Sequence, residues 1–395
     1  MTVSKLSLLI SLTALYSSFA SAENDWLDRV QTHGFFSQGA VYTDDNGFVE
    51  DDNGWSERQT EIGVNASWQI DNNWRVAGQV VYLNGGNRYP EGVRLDYFLL
   101  DRLAYRGEDD EVHLQLGRYK NQHGLYRDSR DVPAAQPSIF LPQSIYWDMY
   151  RDQTLNTDGL SLLGFHQLEA GSFEWQFSGG ATDIHDDMEK WVLGSESSGK
   201  YQEDWVVQGS GYFTTADGAW TAGLSVLRSN LDFHADDGSQ AFSGQTYVWE
   251  SIASLRYSAA TWEATFEYID DQFKLYGLYY PGFRDRSHSD GYYLQLRYFL
   301  TPELTLLGRY DAKYLNKDDR DGSDFEQATG APSYFMYSKD WTVGLTYEVA
   351  EDWLVRGEYH YVDGSAWLPP HLYPDVVTHD QKYWNLFAIQ VSYSF

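Results

Sequence analysis

The chain contains no cysteine in 395 residues, so disulfides, thiolate nucleophiles and Cys-based metal centres are excluded. It is poor in positive charge. Lys and Arg number 28 against 58 Asp and Glu, a net charge of −30, which argues against nucleic acid as a partner and against a basic membrane-surface patch. No internal stretch comes near the run of about eighteen apolar residues that a membrane-spanning helix needs. Mean hydropathy is low, at −0.52. Aromatics nevertheless make up 17 % of the chain. Few aliphatic residues with many Tyr and Trp suit a compact core poorly. They suit a closed β-barrel in a bilayer, which needs apolar side chains at only every second strand position and aromatics at both interfaces.

The first residues read as a secretion leader. Lys5 supplies a positive start, Leu6 to Phe19 is an apolar run broken by Ser and Thr, and Ala20-Ser21-Ala22 gives a small-x-small cleavage pattern. Residues 1–22 are therefore expected to be removed, leaving 23–395 as a single barrel domain. At the other end Phe387, Ile389, Val391, Tyr393 and Phe395 alternate with Ala388, Gln390, Ser392 and Ser394. This is the period of two of a strand with one apolar face. A closing strand ending in a terminal Phe resembles the signal by which bacterial outer-membrane assembly machinery recognises barrel proteins, which makes Phe395 the candidate assembly residue.

The same alternation predicts about sixteen strands, an all-β transmembrane antiparallel barrel. They are Thr32–Tyr42, Arg58–Ile70, Trp74–Asn84, Val93–Arg106, Glu111–Tyr119, Gly159–Leu168, Ser172–Thr182, Asp204–Thr215, Trp220–Asn230, Thr246–Ser258, Thr261–Lys274, Gly291–Leu300, Glu303–Leu315, Tyr337–Val349, Trp353–Asp363 and Tyr383–Phe395. Short connections such as Asp71–Asn73 and Ala350–Asp352 alternate with long ones such as Thr43–Glu57 and Lys120–Asp158. That is the asymmetry of short periplasmic turns and long extracellular loops. Outward aromatics flank the short turns: Trp68 and Trp74, Phe213 and Trp220, Tyr257 and Trp262, Tyr347 and Trp353. They are expected to form a periplasmic girdle.

Strand parity assigns side chains to the lumen. The basic ones are Arg75, Arg94, Arg102, Arg256, Arg297, Arg309, Lys313 and Arg356. The acidic ones are Glu61, Asp96, Glu174, Glu250, Glu263, Glu267, Asp311, Glu348 and Glu358. Both signs in similar number predict a polar, charge-paired wall around water. The longest connection, Lys120–Asp158, carries Lys120, Arg127, Asp128, Arg130, Asp131, Trp147 and Arg151. Pro133, Pro137 and Pro142 stiffen it. Loops of this length are often functional, and this one is the candidate constriction; a flap packed over the rim or against a neighbouring subunit is the alternative.

Gly117-Arg118-Tyr119-Lys120 followed by Gly124-Leu125 resembles the strand-end-to-loop segment of porins related to the phosphate-selective family, with Gln122-His123 where that family has Pro-Phe. The resemblance implies a sixteen-stranded porin, a third loop folded into the barrel, and a homotrimer. No Gly-x-Ser-x-Gly is present and the histidines show no metal spacing, so neither an enzyme nor a cofactor is expected. Asp44–Gly47, Asp51–Gly54 and Asp319–Gly322 have the composition of calcium loops but also of ordinary turns. The reading is an outer-membrane channel for passive diffusion of small hydrophilic solutes and ions. Its surroundings would be outer-membrane lipids and lipopolysaccharide. The alternatives are a substrate-specific channel for an oligosaccharide or anion, and a barrel hydrolase.

Overall fold

The computed structural model describes residues 29–50, 54–127, 129–182, 184, 189, 193–194, 196–368 and 381–395. The leader, Asp51–Asn53 and Asp128 lie outside them. The strands are β1 (Val30–Thr43), β2 (Gly54–Gln69), β3 (Trp74–Asn84), β4 (Gly92–Arg106), β5 (Asp110–Lys120), β6 (Asn156–Leu168), β7 (Gly171–Ala181) and β8 (Gly199–Thr215). They continue as β9 (Trp220–Ala235), β10 (Gly244–Ser258), β11 (Trp262–Tyr276), β12 (Arg284–Phe299), β13 (Leu304–Tyr314), β14 (Tyr337–Ala350), β15 (Trp353–Gly364) and β16 (Tyr383–Ser394). Each pairs antiparallel with its chain neighbours, and β1 pairs with β16, so the sheet closes into one barrel without free edges.

The barrel is inside-out relative to a water-soluble protein. Phe177, Leu294 and Val343 are 60 %, 57 % and 60 % exposed on the outer face, whereas Ser225, Glu267 and Asp311 on the inner face are wholly buried. An apolar belt around a polar interior is stable only when lipid surrounds it. Side chains close the short turns. Asp71 accepts the backbone N–H groups of Asn73 and Trp74 at 2.8 and 3.0 Å, and Asp217 accepts that of Ala219 at 3.0 Å. The turn-flanking aromatics pack between neighbouring hairpins. Tyr257 lies 4.6 Å from Trp220 and 4.9 Å from Trp262, and Tyr393 lies 4.8 Å from Trp353.

The barrel is sealed at Phe395, whose N–H and C=O each bond Gly34 at 2.9 Å. Its ring stacks on Tyr393 and covers Gly34, where a Cβ would stand 2.2 Å from the ring. Only glycine leaves room for the ring there.

Several strands run further than their apolar alternation predicts. β12 begins at Arg284, although Arg284 to His288 have no apolar face, because its backbone continues to pair with Gln272–Tyr276 of β11. These extensions carry hairpins above the lipid belt, where polar side chains are tolerated on both faces.

Candidate functional site

The inner wall follows parity wherever the strand is regular. Arg75 meets Asp101 at 3.3 Å and Arg297 meets Glu263 at 3.3 Å. Arg256 donates to Thr221 Oγ1 at 3.4 Å, and Arg94 to the Pro90 carbonyl at 2.8 Å. Arg102 is the exception and corrects the sequence expectation. Asp96 bulges out of the β3–β4 ladder, which steps from Gln79↔Tyr97 to Val80↔Leu95. One extra residue inverts the facing of everything beyond it. Arg102 then pairs opposite Trp74 on the outer face, with its guanidinium 5.2 Å from the indole centroid. At the girdle's height this is a cation–π contact beside water, not a lumen charge.

The segment between β5 and β6 makes its contacts across the inner face of the wall. Gln122 takes hydrogen bonds from Gln208 and Ser210 on β8, and Gly124 N–H donates to Ser225 on β9. Glu267 on β11 gathers four donors: Leu125 N–H at 3.0 Å, Tyr146 Oη at 2.5 Å, Tyr293 Oη at 2.8 Å and Ser254 Oγ at 2.5 Å. Arg309 on β13 donates to Ser138 Oγ and the Phe140 carbonyl, both at 3.0 Å. Arg356 on β15 holds the Pro133 and Gln136 carbonyls at 2.7 and 2.5 Å, and Glu358 accepts the N–H groups of Ile139 and Phe140. Leu141, Ile145 and Tyr146 pack on Ile252, Ile269 and Tyr293, while Ile139 and Phe140 pack with Phe48, Trp367 and Trp384.

The segment's charges are paired within this arrangement. Arg127 reaches Glu250 at 3.3 Å, and Lys120 reaches Asp96 at 2.9 Å. Arg130 and Arg88 grip opposite oxygens of Asp148, the latter at 2.7 Å, and Arg151 binds Asp131. Burial alone would raise the carboxyls of Asp148 and Asp131. Arg88 with Arg130, and Arg151 with Lys120, outweigh it and hold both below the usual carboxylate range. Burial pushes His123 down, against the pull of Glu250 at 2.6 Å. Trp147 donates its indole N–H to the Trp367 carbonyl at 3.1 Å and packs on Tyr150.

Some partners differ from the sequence expectation. The segment's arginines do not reach Glu263 or Glu267, which are taken by Arg297 and by the hydroxyl and backbone donors above. The wall arginines bind the segment's carbonyls instead. Arg88, on the connection between β3 and β4, went unread, because nothing in its neighbourhood marks it as reaching another loop. The closest signal was Gly85-Gly86. Gly86 has φ 64°, and a Cβ there would stand 1.9 Å from the Val49 carbonyl oxygen, so the two loops touch at a position only glycine permits. Among the described residues no His, Asp and Glu group could hold a metal. Asp44 and Asn46 bond Asn385 and Gln381, and Asp319 accepts the N–H groups of Asp324 and Phe325.

Above the segment lies a cavity of about 280 Å³ between it and the upper ends of β8 to β13. Tyr150 stacks on Phe273 at its side, with centroids 5.9 Å apart. Two ion pairs line it, Arg127–Glu250 and Lys313–Asp271, the latter at 2.6 Å.

No family model and no curated protein sequence matches the chain. Solved structures do. An anion-selective porin from Comamonas acidovorans aligns at TM-score 0.58 and 12 % identity, covering 93 % of this chain and 99 % of that one. The outer-membrane channel DcaP of Acinetobacter baumannii aligns at 0.56 and 12 %, covering 93 % and 97 %. OmpF of Salmonella typhi, solved in complex with daunomycin, aligns at 0.56 and 14 %, again covering 93 % and 97 %. What is shared at these identities is the fold: the chain is a closed sixteen-stranded barrel of the outer-membrane porin type.

Proposed function

We propose that this chain is a passive diffusion channel of the bacterial outer membrane, and that residues 120–158 form its constriction. The observation that carries this reading is the run of hydrogen bonds from the segment to inward side chains on β8, β9, β11, β13 and β15. A loop tied to so much of the inner circumference narrows the water path at that level. Its fixed charges act there at short range and in partial isolation from bulk water. They therefore weigh more on ion preference than the many acids of the outer loops, which salt screens within about 8 Å. The leader 1–22 directs export, the barrel-assembly machinery inserts the mature chain, and three copies associate.

The test is planar-bilayer conductance with reversal potentials in a salt gradient. Arg127→Ala and Arg130→Ala each leave a carboxylate, Glu250 or Asp148, short of a cation, so both should shift the reversal potential towards cation preference. Unchanged selectivity in correctly assembled barrels would remove these groups from the ion path. A barrel hydrolase would instead show turnover without conductance.

The cavity favours a second reading, a substrate-specific channel. The stacked Tyr150 and Phe273 offer a flat apolar face beside fixed charges, which suits a sugar ring or a compact organic ion. Such solutes should block ion current at concentrations where equally sized apolar-free polyols do not.

A further inference from the structure

One patch of the outer wall breaks the chain's own charge economy. In a protein of net charge −30, four cations stand on the lipid-side face of β9 to β12 with no carboxylate partner: Arg228, Lys274, Arg284 and Arg286. All four are exposed. Strand pairing stacks them in rising rows. Arg228 lies opposite Trp249, Lys274 opposite Tyr247 and Arg286, and Tyr276 opposite Arg284. Arg228 lies 3.4 Å from the Trp249 centroid and Arg284 5.8 Å from that of Tyr276, while Arg286 donates to Gln272 at 3.0 Å. A cleft of about 350 Å³ opens here, lined by Arg228 and Lys274 among Trp205, Tyr247, Trp249 and Tyr276.

The nearby acids are already engaged. Asp204 and Asp232 accept from Asn230 at 3.5 and 3.4 Å, and in the row below Lys317 with His288 takes Asp270 while Arg320 takes Asp290. Asp285 alternates to the other face. From Trp262 in the lower girdle to Lys274, a strand rising about 3.3 Å per residue at a tilt near 40° climbs on the order of 30 Å. That is the upper edge of the apolar belt, where headgroups begin.

We propose that this cleft binds the phosphorylated headgroup of an outer-leaflet glycolipid, with Arg228, Lys274 and Arg286 on its phosphates and the Trp and Tyr rings against its sugar and upper acyl carbons. The occupant follows from charge and place. A lipid-side cationic cleft at headgroup height meets anionic lipid, whereas solutes crossing the lumen never reach it. The test is native mass spectrometry of the purified barrel with a bisphosphorylated lipid A, with its dephosphorylated form, and with the bisphosphorylated form in excess inorganic phosphate. The phosphorylated lipid should be retained selectively and resist phosphate. The double change Arg228→Ala with Lys274→Ala should weaken retention by about thirtyfold, as expected for two near-surface cations. Lys339→Ala, at a lone outer-face cation over Tyr337 on β14, should leave it unchanged. Equal retention of the dephosphorylated lipid overturns the proposal without needing any variant. Displacement by inorganic phosphate makes the site a free-anion site and overturns it. So does a double variant that alters oligomeric state while lipid retention stays the same, since the patch is then an interface between copies.

Discussion

Asp148 stands between two guanidinium groups in a setting almost without water. Its removal would strand Arg88 and Arg130 as buried cations, a loss of roughly 3–5 kcal/mol for one broken buried pair. The barrel's backbone ladder does not pass through Asp148, so the segment between β5 and β6 should loosen while the wall stays closed. Asp148→Ala should therefore assemble normally, give noisier current and shift the reversal potential towards anions; single-channel recording checks this. Arg102 and Arg309 make the complementary comparison. Arg102→Leu removes a cation–π contact at the interface and should change thermal unfolding of the barrel by about 1 kcal/mol or less. Arg309→Leu leaves the Phe140 carbonyl and Ser138 without their donor and should cost about 2–3 kcal/mol. Midpoints of heat-modifiable mobility separate the two. Parity made Arg309, Arg356 and Glu267 legible as inward groups. It failed at Arg102 because a bulge at Asp96 leaves no mark in residue type, yet inverts every later facing on that strand.

At the scale of strands and loops, alternation identifies an element wherever one face must be apolar, and falls silent where neither face meets lipid. That is why β3 is bounded correctly by its sequence and the upper part of β12 is not. The closing strand is legible for the same reason, but its seat is not, since nothing in the sequence pairs Gly34 with Phe395. Deleting Phe395 should leave synthesis and export intact and reduce barrel assembly. Gly34→Val should do the same by evicting the ring. Wild-type levels of heat-modifiable barrel in the outer-membrane fraction for both would show that the seat is dispensable. The contacts between β5 and β6 were beyond sequence reading for a different reason. Which carbonyl meets Arg309 or Arg356 depends on the path of a long irregular segment, and no local pattern encodes that path.

For the molecule as a whole, polar residues inside and apolar residues outside fix a water-filled tube in lipid, and the segment 120–158 decides how wide that tube is. The turn at Ser138–Phe140 is its anchor to β13 and β15, and its arginines and aspartates are its electrostatic wall. Most of the net charge of −30 sits elsewhere, so total charge is a poor guide to selectivity. The measurement that bears most directly on this is the single-channel conductance of a barrel in which the segment is shortened around Ala134–Gln143. A constriction predicts a clear rise in conductance, with heat-modifiable mobility retained. Unchanged conductance in a correctly assembled barrel would contradict it and remove the segment from the path of ions.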